Sequence, residues 1–148
     1  MGIGEAIKAD HDEFRRIIAK MEKTTERDAE IRKQLLPHLM KILYAHHVAE
    51  EEILFPAMEK KEELKNMALD LTEEHRAMMI LLNDLEASGW DFKLWRPRLR
   101  PFREIIGVHW SKEETIVIPH LPSYFSQVEI DEFSEGFDAV RKRVLNAK

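Results

Sequence analysis

Histidine and glutamate recur together in two matching stretches of this chain. The first stretch, HHVAEEEILFP, covers residues 46–56, and the second, HWSKEETIVIP, covers residues 109–119. When the two are overlaid, the first histidine, a pair of glutamates, an isoleucine and the final proline fall on their counterparts. Residues four apart lie on one face of an α-helix, so each stretch presents a histidine and a glutamate side by side. The repeat predicts a site that is built twice.

One further histidine precedes each stretch. His11 follows an aspartate, and His75 follows a glutamate. Each half of the chain is therefore predicted to form a helical hairpin. Its first helix brings one histidine, and its second brings a histidine with a glutamate four residues later. Packed together, the two hairpins deliver six side chains to one place: His11, His46, Glu50, His75, His109 and Glu113.

Six inward-facing histidine and glutamate side chains indicate bound metal rather than ordinary core packing. Buried without metal, they would need mutual ion pairs, whose desolvation cost often exceeds their attraction. In helix bundles, two-metal sites are built from carboxylates and imidazoles on facing helices. The set therefore predicts a two-metal site in the interior of a bundle.

The helical phase decides which neighbours in the first stretch face inward. At about 100° per residue, His46 and Glu50 lie at the middle of the apolar face of their helix. His47 and Glu51 are rotated toward the edge of that face, and Glu52 points away from it. In the second stretch the same construction places the glutamate at 113 on the apolar face and Glu114 off it.

The elements that must position these residues are predicted to be helices. Glycine is scarce, and apolar residues recur at helical spacing nearly everywhere, which indicates four long amphipathic helices and a shorter fifth. The first is expected over about residues 3–21 and the third over about 62–87, followed by Gly89 as a C-terminal cap. The sequence SQVE at 126–129 is a capping box that opens the last helix.

Prolines make the starts of the second and fourth helices harder to place. Asp28 is expected to cap the second helix, with a kink or a start near Pro37. The regular part of the fourth helix is expected to begin near Pro101. The predicted fold is all-α. It is an antiparallel up-down four-helix bundle over about residues 3–120, with a short C-terminal helix over about 126–146, in one domain spanning 1–148.

Composition narrows the classes of function. The 148 residues carry 23 basic and 28 acidic side chains and a net charge of −5, which disfavours nucleic acid and anionic membranes as partners. With no cysteine, there is neither a disulfide framework nor a thiolate metal site. The start of the chain has no apolar run typical of a signal peptide, so a cytoplasmic location is expected. The sequence does not indicate an oligomeric state.

These motifs are similar to those of the hemerythrin-like, or HHE cation-binding, family. The resemblance rests on DH in the first helix, HHVAEEEILFP in the second, EEH in the third and HWSKEETIVIP in the fourth. It implies a bundle that holds a non-haem di-iron centre with an oxo or hydroxo bridge. It also implies that the six residues are the metal ligands, with Glu50 and Glu113 as bridging carboxylates. Zinc and manganese remain alternatives to iron.

The chain departs from the oxygen-carrying members of that family in two places. They have a second histidine four residues after the third-helix histidine, where this chain has Met79. They also have an aspartate five residues after the last histidine, where this chain has a glutamate. One metal is therefore short of an imidazole. The candidates for an additional ligand, or for a supporting position beside the ligands, are His47, Met79, Glu51 and Glu114.

Three functions fit this pattern. The first is binding of oxygen, or of a related small molecule such as nitric oxide or peroxide, for sensing, storage or delivery. The second is a di-iron redox enzyme that reduces oxygen, peroxide or nitric oxide. The third is an iron store or iron sensor whose folding depends on metal. The sequence alone leaves open whether the protein is an enzyme.

Overall fold

All regular structure in the described part of the chain is helical. The computed structural model describes residues 1–88 and 90–147, with no strand in these ranges. The α-helices are α1 (Ile3–Lys23), α2 (Ala29–Ala49), α3 (Phe55–Glu59), α4 (Glu62–Glu86), α5 (Phe92–Lys112), α6 (Ile118–Tyr124) and α7 (Gln127–Leu145). Two π-helical turns, Glu50–Leu54 and Glu113–Val117, join α2 to α3 and α5 to α6 without a break. The prediction of an all-α fold with an added C-terminal helix is confirmed.

The long helices pack as a bundle. α1 packs on α2, α2 on α4, α4 on α5, and α5 on α1, which closes a ring of neighbours around a common interior. α7 lies outside this ring, against α1 and α2. Helix α2 therefore has neighbours on three sides.

One expected helix start is wrong, and another is placed by its cap residue. The fourth long helix begins at Phe92 instead of near Pro101, and the side chain of Asp91 caps it by accepting from the backbone N–H two residues on. The second begins at Ala29, directly after the expected cap residue Asp28, and continues through Pro37. The prolines within both helices are exposed. The carbonyl groups that lose a helical donor there can bond to water instead, so the helices continue through them.

The structure confirms only some of the predicted helix caps. The capping box at the start of α7 is confirmed, since Ser126 accepts from the backbone of Glu129 and the Glu129 side chain accepts from the backbone of Ser126. Asp28 stands at the N-cap of α2, but its carboxylate accepts from Thr25 and does not cap that helix. The cap expected at Gly89 lies outside the described residues.

The two π-helical turns occupy matching positions in the two halves. The N–H of Phe55 donates to the carbonyl of Glu50, and the N–H of Ile118 donates to the carbonyl of Glu113, each five residues back. A proline follows directly in both places. Its missing N–H falls where the bonding pattern is changing register, and the wider turn gives its ring room. Each turn begins at a glutamate of the predicted site.

The polar residues of the site lie between two apolar clusters. One cluster includes Ile7, Leu54 and Leu71 together with residues of α7, and the other includes Phe14 and Trp95 with their neighbours. The polar layer is therefore enclosed along the bundle axis by packed side chains that exclude water. None of the described helices combines the length and the apolar character needed to cross a membrane.

Candidate metal centre

The structure brings together the six side chains that the sequence predicts as a site. Each is at most 3% exposed: His11, His46, Glu50, His75, His109 and Glu113. Their candidate ligand atoms form two compact groups, and within each group the atoms lie within 4.8 Å of one another. One group joins His11 and His46 to Glu113, and the other joins His75 and His109 to Glu50. Each group combines two histidines of one half with the glutamate of the other half.

Both glutamates also contact histidines from both halves. Glu50 Oε1 lies 3.3 Å from Nε2 of His46, in its own half, and 3.2 Å from Nε2 of His75. Glu113 makes the matching approaches, at 3.5 Å within its own half and 3.1 Å across to the other. A carboxylate placed between two groups of histidines is suited to bridge two cations.

Four further carboxylates hold the outer nitrogen, Nδ1, of the four histidines. The pairs are Asp10 with His46 at 2.8 Å, Glu114 with His11 at 2.8 Å, Glu51 with His75 at 3.2 Å and Glu74 with His109 at 2.8 Å. Because an ionised carboxylate only accepts, Nδ1 of each ring carries the hydrogen and donates it. The inner nitrogen, Nε2, then faces the two buried glutamates. A histidine that donates its other N–H to a carboxylate is the usual arrangement in metal sites.

Sequence reasoning identified only half of these outer carboxylates. Glu51 and Glu114, named as candidates for an additional ligand or supporting position, contact histidine Nδ1 and belong to neither group of candidate ligand atoms. Asp10 and Glu74 were missed. The repeat could have indicated both residues, because an acidic residue directly precedes the first histidine of each half.

Cationic side chains support three of the outer carboxylates. Arg15 donates to Glu114 at 2.5 Å, and Lys112 donates to Glu74. The third cation comes from α7, as described below. Each such bond fixes a carboxylate, and the carboxylate in turn fixes the orientation of a histidine ring.

The two central carboxyl groups have opposite acidities. Burial, followed by repulsion from Glu50, holds the pKa of Glu113 well above its usual range. Burial also acts to raise the pKa of Glu50, but attraction to His46 and neighbouring hydrogen-bonding groups outweigh it and lower that pKa well below its usual range. Without a cation between them, the two groups cannot both be ionised at neutral pH.

The histidines of one group are also driven apart in acidity. Burial, reinforced by the charge of His46, lowers the pKa of His11 to about 3. Burial opposes protonation of His46 as well, but Glu50 and Asp10 outweigh it and raise its pKa to about 9. A cation that binds His46 Nε2 and Glu113 must therefore displace protons, so its affinity falls as the pH falls.

Orphaned polar atoms show that the residues fit a metal pair. Across residues 1–88 and 90–147, Nε2 of His11 and of His46 and all four oxygens of Glu50 and Glu113 are buried without a hydrogen-bond partner. The short approaches between them lack hydrogen-bond geometry. Leaving so many buried polar atoms unsatisfied costs free energy at each of them. Cations accept electron pairs from such atoms, and a donor set of imidazole nitrogens and carboxylates binds them without thiolate.

His47 is buried, although its phase predicts the edge of the apolar face. It is 3% exposed because α4 covers the side of α2 that carries it. Its ring stacks on that of His75, with 3.7 Å between centroids and 10° between planes. Its Nδ1 has no partner in the described part of the chain, and the ring belongs to neither group of candidate ligand atoms.

A surface crevice reaches the centre beside His47. It has a volume of about 280 Å³ and lies between α2 and α4. Its lining includes Tyr44, His47, His75 and Met79. Met79 is half-buried there and lies outside both groups of candidate ligand atoms. The crevice is an opening from solvent toward the group formed by Glu50, His75 and His109.

Comparison with known proteins agrees with this geometry. A DNA nickase from Nostoc sp. (strain PCC 7120 / SAG 25.82 / UTEX 2576) is 22% identical over 144 residues, which is 97% of this chain. This chain spans only 40% of the length of that relative. No solved structure matches the chain. The family described as hemerythrin HHE cation binding domain matches residues 3–121, which includes every residue of the two groups, and the chain belongs to this family.

Proposed function

We propose that this chain holds two iron ions between Glu50 and Glu113 and binds oxygen, or a related small molecule such as nitric oxide or peroxide, for sensing, storage or delivery. The observation that carries the proposal is the set of orphaned Nε2 and carboxylate atoms in the polar layer. A donor set of imidazoles and carboxylates without thiolate suits iron, with zinc and manganese as the alternatives.

The residues of the site have two roles: some would bind metal, and others orient the side chains that bind it. His11 and His46 would hold one ion and His75 and His109 the other, each through Nε2, and the two central glutamates would bridge them. The outer carboxylates keep the rings in one tautomer and orientation. When bound, the iron pair supplies an open coordination position and a reversible change of oxidation state.

The crevice between α2 and α4 supports entry of a small molecule on one side of the centre. It borders His75, and Met79 in its wall stands where oxygen-carrying members of the family have a further histidine. A methionine at this position leaves room beside the ion held by His75 and His109. We therefore assign the open position to that ion.

One observation favours the redox enzyme as a second candidate. Reduction of oxygen or peroxide consumes protons, and a group that carries them must lie between solvent and the metal. His47 borders the crevice, stacks on His75 and has an unpartnered Nδ1. Mixing with oxygen distinguishes this candidate from the binding protein.

Removing either central glutamate is predicted to abolish the metal pair. Glu50→Ala and Glu113→Ala should each retain less than half the iron of the unaltered protein after dialysis, because each loses the carboxylate that contacts both halves. Metal content per chain, measured by plasma mass spectrometry, checks this. Glu52→Ala is the matched control, since Glu52 is exposed in the same π-helical turn, and it should retain two ions.

The variant Glu51→Ala tests whether Glu51 binds metal itself or orients a histidine that does. It should weaken metal binding by about 10- to 100-fold, as expected for a carboxylate behind a metal-bound histidine, and still saturate at two ions. If Glu51→Ala retained no more iron than Glu50→Ala at saturating iron, the assignment of Glu50 as the inward glutamate would be wrong.

Mixing the reduced, iron-loaded protein with oxygen tests the function itself. A binding protein should form a coloured adduct that bleaches when oxygen is removed, followed by absorption spectroscopy over repeated cycles. Rapid oxidation of both ions without an adduct would contradict the binding function. Loss of added peroxide or nitric oxide over many turnovers would establish the enzyme instead.

Met79 is predicted to control how fast small molecules arrive. Met79→Trp should slow binding of nitric oxide to the reduced iron protein by about tenfold or more, because the larger ring fills the crevice, while Met79→Ala should not slow it. Stopped-flow absorption measures the rate. Ile80→Trp is the control, since Ile80 is 49% exposed and does not line the crevice. Equal rates in Met79→Trp and Ile80→Trp would show that the route lies elsewhere.

A further inference from the structure

The C-terminal helix reaches the metal centre, although it lies beyond the residues that the family match covers. That match ends at residue 121, and α7 begins at Gln127. Phe137 of α7 is fully buried, and its ring meets that of His46 edge-on with 5.6 Å between centroids. α7 thus forms part of the wall around one of the two groups of histidines.

A chain of hydrogen bonds also runs from α7 to that histidine. Arg141 Nη1 donates to Asp10 Oδ1 at 2.6 Å. The other oxygen of Asp10 accepts from Nδ1 of His46 at 2.8 Å. The Arg141 side chain is 24% exposed and that of Asp10 is 17% exposed, so solvent screens this charge pair less than it screens a surface pair. A continuous series of hydrogen bonds therefore links Arg141 through Asp10 to the ring of His46, whose Nε2 is the candidate ligand atom.

The other half of the centre is built differently at this point. Glu74 occupies the place that matches Asp10, and it holds Nδ1 of His109. Its cation is Lys112, which comes from α5 inside the bundle. The repeat is thus symmetric in its histidines and carboxylates but not in the cations behind them. The cation behind Asp10 comes from the added helix, whereas the cation behind Glu74 comes from the four-helix bundle.

α7 is anchored at other points besides Arg141. Ser134 accepts from the backbone N–H of Ile3 at 2.9 Å. Gly136 lies so close to Ile53 that an added Cβ would stand 2.9 Å from its Cδ1 atom. Arg143 donates to Glu52 at 2.8 Å on the exposed side. Because several contacts place the helix, loss of the Arg141 side chain alone should leave it docked.

We propose that Arg141 is a positioning residue for His46. Through Asp10 it orients this histidine, so that α7 controls how tightly the ion held by His11 and His46 is retained. The inference rests on the proposed metal pair. The physical reason is that Arg141 holds the carboxylate of Asp10 in one orientation, and Asp10 holds the imidazole of His46 with Nε2 aimed inward. Residues behind a metal-bound histidine typically change metal affinity by about 10- to 100-fold.

The test is release of iron(II) from the iron-loaded protein to a chelator, with the iron–chelator complex followed by its absorption. Arg141→Met should speed the loss of one of the two ions by about tenfold or more and leave the other unchanged. Arg141→Lys should restore part of the slow release, because it returns a cation to Asp10. Lys112→Met should speed release of the other ion, since it removes the cation behind Glu74.

Two controls separate positioning from general loosening of the helix. Arg143→Met removes an exposed bond from the same helix and should release both ions as the unaltered protein does. In the Asp10→Asn background, Arg141→Met should add less than about twofold, because the two act in series. Circular dichroism shows whether each variant keeps its helix content.

Different outcomes would overturn the positioning role of Arg141 and the proposed metal pair. If Arg141→Met released both ions faster to the same extent, or Arg143→Met matched it, the positioning role would be overturned. Unchanged release in both Arg141 variants would overturn it as well. An unaltered protein that never retained two ions would instead overturn the proposed metal pair.

Discussion

Two carboxyl groups buried side by side are the constraint on which the rest of this structure depends. Glu50 and Glu113 lie in a layer that packed apolar side chains enclose, and solvent there cannot screen their repulsion. The pKa of Glu113 is raised and that of Glu50 is lowered, so Glu113 holds a proton while Glu50 is ionised. Cations would replace that proton, satisfy the orphaned atoms and let both carboxylates ionise. Metal binding would relieve the energetic cost of burying these groups together.

Successive layers of polar side chains surround the two buried glutamates. The four histidines surround the glutamates, outer carboxylates hold the histidines, and the cations Arg15, Lys112 and Arg141 hold three of those carboxylates. Each of these layers therefore fixes the orientation of the one inside it. The wide π-helical turns start at the two glutamates, which places a local departure from α-helical geometry at the functional residues, as is common for such turns.

Sequence reasoning predicted the bundle and the six central residues because both follow from periodicity and from a repeat. The spacing of His46 and Glu50, read against its copy, is enough to place both on one buried face. The burial of His47 could not be predicted this way, because it depends on α4 covering the flank of α2. The start of the fourth helix was predicted too late, near Pro101. This proline lies on the exposed face of the helix, where the helix can continue through it because water can bond to the freed carbonyl group. The contact between Arg141 and Asp10 joins residues far apart in sequence and leaves no local pattern.

Anomalous diffraction at the iron edge, from crystals of the iron-loaded protein, would locate the bound iron ions directly. We expect two iron peaks in the polar layer, one next to His11 and His46 and the other next to His75 and His109, with Glu50 and Glu113 in contact with both. A single peak, peaks outside the polar layer, or an iron bound by His47 in place of His75 would contradict the proposed metal pair.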